Sequence, residues 1–213
     1  MPLSDDTLNP MNLDHLKKFK QYAYPLLITV GFFIATSYIA FFHHPVWVEG
    51  DGIYYLNWGN AILDGNGKNT FVIIGQIGGP VLFSILNSFL HDGFAIEKII
   101  AILSGTGIVL LSYLITRNIF DSRIALVAQI FIAINPRFHF VSVQALNELL
   151  PIFFIFLSLF FITKKQLKII DFVMVGIFLG ISSLIRFQAI FILITIILFI
   201  ILHREKISRK ISF

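Results

Sequence analysis

Cysteine is absent from all 213 residues, so disulfides, thiolate nucleophiles and cysteine-bound metals are excluded at the outset. Charge is nearly as scarce. Asp, Glu, Lys and Arg make up 13% of the chain, against roughly 25% in soluble globular proteins, and that shortage excludes a water-soluble globule. Nucleotide-binding signatures are missing too, with neither a P-loop nor a Gly-rich strand-turn-helix pattern. What the chain has instead is apolar surface: 57% of its residues are hydrophobic and 24 are Phe. The composition is that of an integral membrane protein. Its formal net charge of +4 does not point to nucleic acid, because the Lys and Arg residues stand in short clusters between apolar runs, where they act as topology signals.

A bilayer core of about 30 Å needs about 20 helical residues, and lipid-facing backbone must be helical or in a closed barrel. Six stretches qualify as spans: 24–42, 99–116, 124–135, 143–163, 172–185 and 189–202. The third is short enough to thin the bilayer or to lie buried among its neighbours. The expected fold is therefore an all-α, polytopic transmembrane bundle of about six spans. With the N-terminus cytoplasmic, the basic residues divide twelve against four, which puts both termini inside. The chain then reads as a cytoplasmic segment 1–23, a membrane module 24–202 with an outside loop at 43–98, and a basic cytoplasmic tail 203–213. Gly176 and Gly180 form a GxxxG, which predicts close helix approach in the fifth span.

The outside loop is long, and loops of that length are usually functional or disordered. Within it, 53–63 closes on Asp64-Gly65-Asn66-Gly67, and 80–90 opens on Pro80 and stops at His91-Asp92-Gly93. Both are predicted as helices on the membrane surface, with aromatic residues at headgroup level. Ahead of the first stands Glu49-Gly50-Asp51-Gly52-Ile53-Tyr54-Tyr55. Asp51 can cap the helix that follows. It can equally accept a proton from an incoming hydroxyl, with Tyr55 one helical turn further on.

An acidic residue just after the first span, a Tyr four residues later, surface helices in the first outside loop and a series of short spans resemble the N-terminal module of the GT-C glycosyltransferases. The protein mannosyltransferase branch and the Rgt or aminoarabinose-transferase branch are the most similar. The resemblance implies a sugar passed from a polyprenyl-phosphate donor to a lipid, glycan or protein acceptor at the outer membrane face, with Asp51 as general base. It implies substrate-binding roles for Tyr54, Tyr55 and Gln76, although Gly52 stands where a second acidic residue is common. At Gly75-Gln76-Ile77-Gly78-Gly79-Pro80 the usual basic residue is replaced by Gln76. Members of the family are usually longer, so the chain is expected to be a truncated or split module. Transporter subunit and non-catalytic scaffold are the alternatives.

Ionisable residues at membrane depth cost roughly 2.5–3.5 kcal/mol each. Glu148 matches an acidic position of the family at the outer start of the fourth span and is the second catalytic candidate. Its other reading is a headgroup carboxylate paired with Arg137 or Lys98. Pro151 is expected to open the helix backbone near Asn147. Arg186, with five donors in a planar fork, is the first candidate for the donor phosphate, and Arg137 the second. No cofactor is firmly implied. His43, His44 and His139 are expected at the interface rather than on a metal.

Overall fold

The computed structural model describes residues 10–43, 50–66, 77–144 and 148–202, with side chains left undescribed over 10–21, 50–52 and 199–200. Among the described residues every regular element is a helix. Helix α1 covers Pro10–Tyr38 and runs into a π-turn, Ile39–His43. Helices α2 (Gly50–Leu63) and α3 (Gly78–Leu90) fill the predicted outside loop. Then come α4 (Gly93–Ile119), α5 (Ser122–Ala133), α6 (Pro136–Val143), α7 (Leu149–Ile162), α8 (Ile169–Ile185) and α9 (Ala189–Leu202).

Two helices are by themselves long and apolar enough to cross a bilayer, Tyr22–His43 and Gly93–Ile119. The third passage is a bent pair, α5 and α6, broken by 60°. This extends the expected third span and shortens the fourth, which starts at Leu149 rather than at Val143. Asn135-Pro136 causes the break: Pro has no N–H to continue α5, and the Asn135 side chain caps α6 by accepting from the Phe138 amide at 3.1 Å. His139 lies just beyond, its Nε2 2.5 Å from the Ala133 carbonyl and its ring 4.7 Å from that of Phe32. The chain ends freed by the break are thus satisfied inside the protein. Helices α7 and α9, with 14 residues each, reach only about 21 Å at 1.5 Å per residue.

Helix starts follow their caps. Asp92 accepts from the Ala95 amide at the head of α4. Asp121 accepts from Arg123 and Ile124 at the head of α5, and the Ile124 and Arg123 amides together hold its carboxyl below the usual carboxylate range. Asp171, in the first turn of α8 ahead of the apolar run, bonds Lys164 Nζ at 2.7 Å and the Lys168 amide at 2.8 Å. Burial alone would raise its pKa, but the Lys164 ammonium and the Lys168 amide and charge outweigh burial and lower it.

The polar side chains inside the bundle are spent on holding helices together. Gln129 of α5 donates to the Pro25 carbonyl at 2.9 Å and bonds Thr29 Oγ1 at 3.0 Å, fixing α5 on α1. Ser182 Oγ of α8 donates to the Pro151 carbonyl at 2.9 Å. Close approach does not occur at the GxxxG, since a Cβ at Gly176 or Gly180 would meet nothing within 4 Å. That expectation fails because the two glycines lie on the open side of α8, away from its seam with α7. The tight seam is at α4, where Gly105 backs onto Ser142 and Gly107 onto the ring of Phe153.

Both helices expected in the loop form, as α2 and α3, and they run side by side in the same direction: Tyr55 lies on Gly79, Gly59 on Phe83, and Asn60 Oδ1 accepts from Asn87 Nδ2 at 2.9 Å. Together they cap the end of the bundle at which α4 and α7 begin and α8 ends. At the same end the Lys98 ammonium, predicted to lie in the loop, is instead on α4 and buried; it donates to the Ala40 carbonyl at 2.6 Å and lies over the Phe41 ring. The π-turn there places Ala40 within reach of a cation.

Candidate active site

The site is assembled by one apolar cluster beneath the capped end. Leu56 of α2, Phe83 of α3, Ile96 and Ile100 of α4, Leu150 of α7 and Ile185 of α8 pack together and are all buried. Their van der Waals packing fixes five helices at one point. Each of three members has a chemically capable neighbour in the chain: Glu97 follows Ile96, Glu148 stands two residues before Leu150, and Arg186 follows Ile185. The cluster thereby brings an acid from α4, an acid from the head of α7 and a cation from the end of α8 to one end of the fold.

Arg186 terminates α8. Its backbone is extended (φ −137°, ψ 119°), and its N–H donates to the Ser182 carbonyl at 2.8 Å. The guanidinium reaches across to Glu148, with Nη2 to Oε1 at 3.7 Å and side-chain exposures of 25% and 40%. That distance lies beyond hydrogen-bond reach, so the two charges attract without being locked together. Glu148 pairs with Arg186, not with Lys98, which is committed to Ala40, nor with Arg137. Glu148 precedes α7 without capping it by a side-chain hydrogen bond, which leaves its carboxylate for Arg186. Pro151 sits in the first turn of α7, where a missing N–H costs nothing; the opening expected near Asn147 lies outside the described residues.

A cleft of about 280 Å³ opens from this ion pair. Glu148, Arg186 and Gln188 form its polar end, and Ile152, Ile155 and Ile192 line the groove between α7 and α9. A charged mouth leading into an apolar groove suits an amphiphile with an anionic head.

The other candidates separate. Tyr55 is buried and packs its ring on Gly79, edge-on to Tyr54 at 6.1 Å; Tyr54 in turn meets Trp58 at 5.7 Å. The contact of Tyr55 with Gly79 holds α2 on α3, while the Tyr54 contacts stay within α2. Asp51 belongs to the first turn of α2, one turn before Tyr55, and its side chain lies outside the described residues, as does Gln76. Arg137 is at the α5–α6 break, its guanidinium 5.2 Å from the Phe140 ring. Its neighbour Phe138 packs on Phe32, near the middle of the Tyr22–His43 span, so the structure does not gather Arg137 with Arg186. Among the described residues no three His, Asp or Glu side chains group as a metal site would need.

A family model described as dolichyl-phosphate-mannose-protein mannosyltransferase matches residues 80–213, more than half of the chain. The chain belongs to this family. It is a membrane glycosyltransferase of the GT-C type. No curated protein and no solved structure matches. The matched stretch of the glycosyltransferase includes Glu148 and Arg186, whereas Asp51 falls before it.

Two polar residues of this end escaped the sequence reading. Glu97 and Gln144 are buried, and none of their side-chain oxygen or nitrogen atoms has a hydrogen-bond partner among the described residues. The uncharged run that marks the second span begins only after Lys98 and so leaves Glu97 outside it. The cap signal His91-Asp92-Gly93 starts the helix six residues earlier and puts Glu97 inside it.

Proposed function

We propose that this glycosyltransferase takes a sugar from a polyprenyl-phosphate donor at the outer membrane face and passes it to an acceptor hydroxyl, with both chain termini on the cytoplasmic side. The observation that carries the reading is the cleft, in which the Arg186–Glu148 pair stands at the mouth of an isoleucine-lined groove. Arg186 binds the donor phosphate through charge-assisted hydrogen bonds, and the groove takes the first isoprene units of the tail. When phosphate takes over Arg186, Glu148 is released to orient the acceptor.

In the transfer, the acceptor oxygen attacks the anomeric carbon and its proton passes to the Asp51 carboxylate. The bond from the anomeric carbon to the phosphate oxygen breaks, and polyprenyl phosphate leaves with the electron pair, its charge stabilised by Arg186. Position supports the role of Asp51: it opens α2, whose Tyr55 rests on the first turn of α3, whose Gly78 in turn rests on Leu184 two residues before Arg186. Lipid, glycan and protein acceptors all present a suitable hydroxyl. The transporter alternative asks for an available polar site at mid-bilayer, whereas Asn135 and His139 at the helix break are spent on the Phe138 amide and the Ala133 carbonyl.

The test is Asp51→Asn in reconstituted membranes, with dolichyl-phosphate-mannose as donor and transfer of label as readout. A positioned base contributes about 10²–10⁴-fold, so turnover should fall by that factor while donor binding persists. Turnover equal to the unmodified enzyme removes Asp51 from the reaction.

A further inference from the structure

We infer that Glu97 and Gln144 form the hydroxyl-binding wall of the donor-sugar subsite. The inference rests on the proposed transfer reaction and adds residues that recognise the sugar itself.

Glu97 has no exposed surface and Gln144 is 3% exposed. Four polar atoms, both carboxyl oxygens of Glu97 and both amide atoms of Gln144, have no hydrogen-bond partner among the described residues. Proteins pair nearly all such atoms, so each exception needs a reason. The nearest cation in sequence supplies none, because Lys98 points to the Ala40 carbonyl.

The two side chains belong to one place. Gln144 follows Val143, which clusters with Ala40 of the π-turn and Ile102 of α4. Glu97 precedes Lys98, whose ammonium donates to the carbonyl of the same Ala40. Both side chains are therefore tied, through their chain neighbours, to the π-turn at one end of the fold. Glu97 also follows Ile96, which packs in the cluster with Leu150 and Ile185, close in the chain to Glu148 and Arg186. The two unpaired groups thus stand at the same end of the fold as the ion pair that we assign to the phosphate.

A bound ring next to that phosphate is a polyol. A carboxyl group accepts hydrogen bonds from two of its hydroxyls, and a carboxamide both donates and accepts. A site of this kind rejects ligands that lack the hydroxyls, because its buried groups are then left unmatched. A purely structural role predicts the reverse: removing an unpaired buried charge is neutral or stabilising.

The experiment compares binding of dolichyl phosphate, dolichyl-phosphate-mannose and dolichyl-phosphate-glucose to the full chain in nanodiscs, with no acceptor present. The unmodified protein should prefer at least one sugar-bearing lipid over dolichyl phosphate. Glu97→Gln should reduce that preference about tenfold, and Gln144→Met about three- to tenfold, with dolichyl phosphate binding unchanged and Tm unchanged or raised. Lost preference accompanied by equally weakened dolichyl phosphate binding, or a preference untouched in both variants, overturns the inference while the proposed function stands. Absence of preference in the unmodified protein overturns it as well. If dolichyl phosphate itself fails to bind, both readings fall.

Discussion

Arg186 and Glu148 should respond to mutation with opposite signs, and the geometry sets the sizes. Charge-assisted hydrogen bonds contribute about 1.5–3 kcal/mol, so Arg186→Gln should weaken dolichyl phosphate binding by about 10- to 100-fold at 1.4 kcal/mol per decade. The protein holds Arg186 beside Glu148 at 3.7 Å, with the two side chains 25% and 40% exposed. A pair so open to solvent and so long is worth about 0.2–1 kcal/mol, and the phosphate must displace it. Glu148→Gln removes that competition and should tighten binding by about 1.4- to 5-fold. Neither change removes enough stability to unfold the chain, so both proteins can be measured. The assay is lipid-dependent change of Trp fluorescence in nanodiscs at two salt concentrations, with dolichol as the uncharged control. Dolichol should bind the three proteins alike. Weaker phosphate binding by Glu148→Gln would refute the competition, and an unchanged affinity in Arg186→Gln would refute the phosphate grip.

Tyr55→Ala should destabilise the protein by about 3–5 kcal/mol, as truncations of large buried aromatics do, because its 2%-exposed ring fills the seam against Gly79; thermal unfolding in detergent reads it, and a change within 1 kcal/mol contradicts the packing. Asp171 has a lowered pKa through Lys164 and Lys168, so its stabilisation is fully present above the unfolded carboxylate value of about 3.9 and is lost as pH falls through the lower folded value. Tm should therefore decline on acidification below about pH 4 less steeply in Asp171→Asn than in the unmodified protein, and parallel profiles would contradict the assignment.

Much of the fold was legible because membrane physics leaves few choices. The apolar runs marked α1, α4, α8 and α9, and turn chemistry at Asp64-Gly65 and His91-Asp92 marked the ends of α2 and α3. The third passage was harder, since Asn135-Pro136 reads equally well as the end of a span or as a bend inside one. Only tertiary contacts, Phe138 and His139 on Phe32, show that it is a bend. At the site, Glu148 and Arg186 were legible as charges at the edges of apolar runs. Their pairing was not, because it depends on how α7 and α8 cross. Glu97 and Lys98 look like the charged rim of a loop in the sequence, and it takes the Asp92 cap and the Ala40 carbonyl to draw them into α4.

Gly78 gives the capped end a mechanical property. A Cβ at this position would lie 3.0 Å from the carbonyl carbon and oxygen of Leu184, so α3 rests on bare main chain two residues from Arg186, with no side chain in between to absorb a shift. The contact acts as a bearing: a tilt of α3 must displace the main chain of α8 at Leu184, two residues before Arg186.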